Sequence, residues 1–146
     1  MYLNAHTYYS LRYGTISPRN LLEMAHQNGV KSMVVSDINN TSACLEFARL
    51  APRYNVKPIF GIDFRNGIEQ LYLAIAKNNK GFQEINEYLT PFLLNKTIIE
   101  NGMKEIPSQA PEFDNAFVVY PFRKAAGSFG YAQGPALKEH EYLGVT

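Results

Sequence analysis

The sequence predicts an α/β fold of parallel strands with alternating helices. Three observations predict it. Short, continuous apolar runs such as Ser32–Ser36 (Ser-Met-Val-Val-Ser) suit strands buried on both faces, as in a parallel sheet. Between them, Cys44, Phe47, Ala48 and Ala51 fall at i, i+3, i+4 and i+7, the spacing of one helical face. The resulting β-α-β-α-β order calls for right-handed crossovers between parallel neighbours.

Met1–Ala5 reads as the first strand. Ser17-Pro18 then starts a helix, with Ser as the N-cap and Pro at the first helical position. Leu21, Leu22, Ala25 and Val30 form its apolar stripe, and Gly29 stands where a C-cap glycine belongs. Ser32–Ser36 is the second strand. Thr41 or Ser42 caps the next helix, and Pro52 lies close to its end. Val56–Phe64 reads as the third strand and Leu71–Ala76 as the fourth. Phe82, Ile85 and Leu89 mark one face of a helix after Gly81. The pattern then weakens. Asn95–Asn115, with Gly102, Pro107 and Pro111, reads as a long loop. Ala116–Tyr120 is strand-like, Arg123–Gly134 is rich in small residues and reads as loop, and Glu141–Val145 is a last strand. The expected organisation is one domain or fragment over residues 1–146, with clear βα units over 1–90 and a loop-rich remainder over 95–146.

Candidate functional residues follow from strand ends. In parallel α/β sheets, chemistry gathers where strands finish. His6, Asp37 and Asp63 each follow an apolar strand directly, which groups them without further information. All three are types that ligate zinc or manganese. Each also has a metal-free reading. His6 can hydrogen-bond Asp37 or a backbone carbonyl. Asp37 can cap the turn before the following helix, and Asp63 can simply end its strand. Tyr8, Tyr9 and Tyr13 could stack on a base, and Lys77 and Lys80 could touch phosphate. Core or rim packing for the tyrosines, and a solvated helix start for the lysines, carry more weight.

Three segments carry a resemblance. They are Asn4-Ala5-His6-Thr7 with Tyr9-Ser10-Leu11 and Gly14, then Ser36-Asp37-Ile38-Asn39-Asn40, then Lys57-Pro58-Ile59-Phe60-Gly61-Ile62-Asp63-Phe64. In this order they resemble the PHP (polymerase and histidinol phosphatase) family, specifically the N-terminal region of bacterial DNA polymerase III alpha subunits. That family shows His-x-His, then Thr-Asp-His, then Lys-Pro-Ile-x-Gly-x-Glu. Leu73–Phe82, with its Ala76-Lys77-Asn78 and Gly81-Phe82, is similar to the stretch that follows in the polymerase branch. The resemblance covers roughly residues 1–90. It implies part of a distorted (β/α)7 barrel with a cluster of metals. Asn4 and Ile38 stand where the pattern has His, so two ligands are lost there, and Asp63 replaces Glu. His6, Asp37 and Asp63 remain as a remnant metal site. No cofactor is the expectation; zinc or manganese is the alternative the resemblance keeps open.

Composition narrows the function further. An apolar fraction of 46% suits a sizeable core. The net charge is +1, with seven Lys/Arg against five Asp/Glu over residues 1–70 and seven against eight over 71–146. Neither half carries the one-signed field of a dedicated DNA-binding module. A single cysteine, Cys44, excludes an intrachain disulfide and a cysteine-rich zinc site. No apolar run approaches membrane-spanning length, and a cytoplasmic protein is expected. The leading expectation is the PHP-like region of a replicative polymerase subunit with a degenerate metal site and a structural role. Its partners would be the rest of that subunit and, through it, DNA and other replisome subunits. A metal-dependent phosphoesterase or 3′–5′ exonuclease with a reduced site is the enzymatic alternative. A stand-alone interaction module, dimeric if separate, is the third.

Overall fold

A computed structural model describes residues 2–94, 105–121 and 139–144. Six strands form one sheet: β1 (Tyr2–Ala5), β2 (Ser32–Val35), β3 (Lys57–Asn66), β4 (Glu69–Ala76), β5 (Ala116–Pro121) and β6 (Glu141–Gly144). Their spatial order equals their chain order. Helices α1 (Pro18–Gln27), α2 (Cys44–Leu50) and α3 (Asn79–Leu94) complete the fold.

The first three strands pair in parallel through α1 and α2, as the alternation predicts. Ser17 Oγ accepts the Asn20 N–H at 3.1 Å, with Pro18 following as expected. Gly29 takes φ +67° just past the helix. The cap of α2 differs from expectation. Neither Thr41 nor Ser42 bonds that helix by its side chain; instead Asn40 Oδ1 accepts the Ser42 N–H at 3.0 Å and the Thr41 carbonyl takes the Cys44 N–H. The helix tightens into a 3-10 turn over Ala51–Tyr54, where Pro52 cannot continue the α-helical ladder.

The fourth strand corrects the all-parallel expectation. β3 and β4 pair antiparallel, with Asn66 opposite Glu69 across the two-residue turn Gly67-Ile68. Gly67 has φ +59°, at the first central position where tight hairpin turns call for glycine. β4 and β5 are also antiparallel, and β5 and β6 are parallel. The sheet is therefore mixed. Among the described residues it is open, with β1 and β6 at opposite edges, so the barrel is not closed.

Two clusters fill the helix-covered face. Leu22, Ala25, Met33, Val35, Phe47 and Leu50 join α1 and α2 to the parallel strands. Ile62, Phe64, Tyr72, Ile85, Leu89 and Val118 join α3 to the antiparallel ones. Burying each larger side chain contributes about 1.5–3 kcal/mol. The expected long loop contributes too: Ile106, Ala110 and Phe113 are buried in the second cluster. α3 begins at Asn79, two residues before Gly81, and Asn78 Oδ1 caps it by accepting the Gly81 N–H at 3.0 Å. Residues 95–104, 122–138 and 145–146, on which part of the expected loops and the end of the last strand fall, lie outside the described residues.

Candidate functional site

The parallel strands β1, β2 and β3 bring His6, Asp37 and Asp63 to one region. Past the end of β2 the chain keeps pairing with β3: the Asp63 N–H donates to the Asp37 carbonyl at 3.2 Å and the Asn39 N–H to the Asp63 carbonyl at 3.1 Å. Ile38 and Asp63 form an isolated parallel bridge. The grouping is thus physical, but Asp63 lies inside β3, which runs on to Asn66, rather than ending its strand, and the partners differ from those expected.

His6 donates its Nε2–H to Asp63 Oδ2 at 2.9 Å, rather than bonding Asp37 or a carbonyl. Arg65 donates to the same oxygen from Nε at 3.0 Å and Nη2 at 2.8 Å. Gln70 Nε2 donates to Oδ1 at 3.0 Å. Asp63 is fully buried. Burial raises the carboxyl pKa, but the hydrogen bonds from His6 and Arg65 and the guanidinium charge outweigh it, so the net displacement is downward. Asp63 is therefore an ionised carboxylate in a dry setting, with a cation beside it.

Asp37 does not cap the helix ahead of it. Its Oδ1 accepts the Thr7 N–H at 2.7 Å and the Ser10 hydroxyl at 2.6 Å, and its Oδ2 accepts the Thr7 hydroxyl at 2.7 Å. The side chain ties down the loop that follows β1. Ser10 Oγ accepts the Ile38 N–H at 2.9 Å in return. Gly14 completes that loop by close approach: a Cβ there would lie 1.8 Å from the Thr7 carbonyl oxygen. Asn4 Oδ1 accepts the Ser36 hydroxyl at 2.8 Å, linking β1 to the end of β2. Ile38 contributes its backbone.

A cleft of about 940 Å³ opens beside these residues, lined in part by Tyr9, Tyr13, Asn39, Asn40, Arg65 and Phe92. Tyr9 and Tyr13 line the rim of this cleft, while Tyr8 lies outside its lining, and all three are partly exposed. The Arg65 guanidinium lies 4.9 Å from the Tyr13 ring centre. Lys77 bonds the Asp114 carbonyl at 3.2 Å and sits over Phe117, on a different strand end.

The donor chemistry can be tested against a divalent ion. Among the described residues, no group of three or more His, Cys, Asp or Glu side chains is placed to hold one. No buried side-chain nitrogen or oxygen among them lacks a hydrogen-bond partner. The Asp63 oxygens receive four N–H donors and the Asp37 oxygens three protein donors. As arranged, these residues do not fit a metal.

Sequence reasoning missed Arg65, Gln70, Thr7 and Ser10. Arg65 had a signal, because it stands two residues after Asp63 on a strand and shares its face. Gln70 had none without the hairpin register that sets it opposite Arg65.

Comparisons with known proteins agree with these motifs. The PHP domain family model matches residues 3–116. The DNA polymerase III subunit alpha of Ureaplasma parvum is 32% identical over 94 residues, covering 64% of this chain and 10% of that protein. The Staphylococcus aureus subunit is 27% identical over 111 residues, covering 74% and 10%. The chain thus spans about a tenth of the length of these relatives. Among solved structures, a candidate metal-dependent phosphoesterase from Bifidobacterium adolescentis superposes with a TM-score of 0.50 at 20% identity, covering 64% of this chain and 32% of that one, a likeness of fold. No helix among the described residues is long and apolar enough to cross a membrane.

Proposed function

The chain belongs to the PHP domain family, and on that premise we propose that it is the N-terminal PHP-like region of a bacterial DNA polymerase III alpha subunit. Its role in DNA replication is structural, and its metal site is a remnant. The single observation that carries this reading is the closed network around Asp63. A carboxylate whose Oδ2 receives His6 and two Arg65 donors, and whose Oδ1 receives Gln70, is already satisfied by protein groups with the Arg65 charge where a metal's would be. PHP-type phosphoester cleavage relies on metal ions to activate water and neutralise phosphate charge. Without that charge, the fold still supplies a packed α/β body for the rest of the subunit to rest against. The relatives support the assignment to this branch, since the match falls on alpha subunits about ten times as long as the matched segment.

The partners in this reading are the remainder of the polymerase subunit and, through it, DNA and other replisome subunits, in the cytoplasm. Nucleotidyl transfer needs paired carboxylates and two metals, and it would reside outside these residues. The contact of His6 with Asp63 at 2.9 Å favours a second reading, a phosphoesterase or 3′–5′ exonuclease with a reduced site. It requires Arg65 to leave the carboxylate.

Metal analysis and a hydrolysis assay separate the two. The purified chain is expected to hold substoichiometric zinc and manganese. It is also expected to give no metal-dependent release from p-nitrophenyl phosphate or a DNA 3′ end. Stoichiometric metal lost on His6→Ala, with hydrolysis lost in parallel, would establish the second reading instead.

A further inference from the structure

The next step rests on the metal-free reading and says what replaces the metal. A fully buried carboxylate stays ionised only where a counter-charge or several hydrogen bonds offset its lost hydration, and at Asp63 a counter-charge is present. Arg65 supplies it from two positions along the same strand, with both Nε and Nη2 on Asp63 Oδ2. The arginine is itself held at three points. Asn39 grips its backbone, with Oδ1 accepting the Arg65 N–H at 2.9 Å and Nδ2 donating to the Arg65 carbonyl at 2.8 Å. Asn39 does so from φ +49°, a left-handed conformation that Asn tolerates better than most residues. The guanidinium face meets Tyr13, and the side chain is only 13% exposed. A surface ion pair would not be fixed in this way. Here the position is built.

We propose that Arg65 is the resident cation of the site, and that its guanidinium and a divalent ion are alternative occupants of the Asp63 carboxylate. Two positive charges this close repel strongly where water is scarce. While Arg65 stays, a metal ion does not enter. Removing it leaves the buried Asp63 carboxylate beside the partly exposed His6 imidazole with its charge uncompensated, an arrangement that recruits a hard or borderline cation. Arg65 is thus the residue that keeps the chain independent of metal.

Mn²⁺ serves as the probe, followed on the full chain by loss of the free-ion electron paramagnetic resonance signal. Wild type should leave that signal unchanged. Arg65→Ala should take up Mn²⁺ stoichiometrically, and adding Asp63→Asn to it should abolish the uptake. In chelator, Arg65→Ala should lower Tm by about 10 °C, and Mn²⁺ should return part of the loss. Arg65→Lys, which keeps the charge and loses the fork, should stay silent to Mn²⁺. Should the alanine variant fail to fold, Arg65→Gln retains more side-chain volume and carries the same expectation. A folded Arg65→Ala or Arg65→Gln that takes up no Mn²⁺ overturns this inference and leaves the metal-free reading standing. Stoichiometric uptake by wild type overturns both.

Discussion

Asp37, just past the end of β2, and Asp63, inside the neighbouring β3, are both buried, and the fold satisfies them in opposite ways. Asp37 receives only uncharged donors, all from Thr7 and Ser10. Asp63 receives a guanidinium, an imidazole and an amide from separate segments of chain. A carboxylate held by a short loop organises that loop. A carboxylate held by a cation two residues along its own strand stores charge, and its surroundings decide which cation it takes. Shared burial and shared placement therefore do not mean a shared role.

The largest expected effect falls on the loop side. Asp37→Ala strips acceptors from three buried donors and should cost about 4 kcal/mol in urea unfolding. It should also speed amide exchange at Ser10 and Gly14, whose N–H groups bond the Thr7 and Ser10 carbonyls within the tied loop. A cost near that of an ordinary surface substitution would mean that Asp37 organises nothing. Gly14→Ala should come next. Its Cβ would meet the Thr7 carbonyl oxygen at 1.8 Å, so the backbone must move, at about 3 kcal/mol. Gly29→Ala is the control, because φ is +67° with nothing within 4 Å, and about 1 kcal/mol is expected. Equal losses in the two variants would show that chain conformation, not the close approach, sets the requirement at Gly14.

The smallest effect separates the aspartates by pH. Asp63 has its folded pKa below the unfolded one, so its contribution is complete above the ordinary carboxylate range, near pH 4. That contribution is lost as pH falls through the folded value. Asp63→Asn should flatten this acid arm of the stability curve. An unchanged acid arm in Asp63→Asn would show that other groups carry it.

Much of the architecture was legible. Ser17-Pro18, the Cys44–Ala51 stripe and the apolar run of β2 located their elements because caps and periodicity are local properties. The turn at Gly67 was legible in principle as well. Asn66-Gly67 between two apolar runs is a strong hairpin signal. It separates the antiparallel strands that alternation alone reads as parallel. Residues 105–115 are loop, as expected, but their burial was not legible, because Ile106, Ala110 and Phe113 have no periodicity and yet pack into the second cluster.

The sequence by itself determined the family, the order of the first elements and the convergence of His6, Asp37 and Asp63. Motif residues and strand ends are ordered along the chain, and a parallel sheet turns that order directly into proximity. Only the tertiary structure decided the partners. Gln70 reaches Asp63 through hairpin register, Arg65 through the shared face of β3, and Thr7 reaches Asp37 through a loop that closes on Gly14. A buried charge selects its partner by distance in space, and apart from the two-residue spacing of Arg65 from Asp63 no local pattern in the chain encodes that distance.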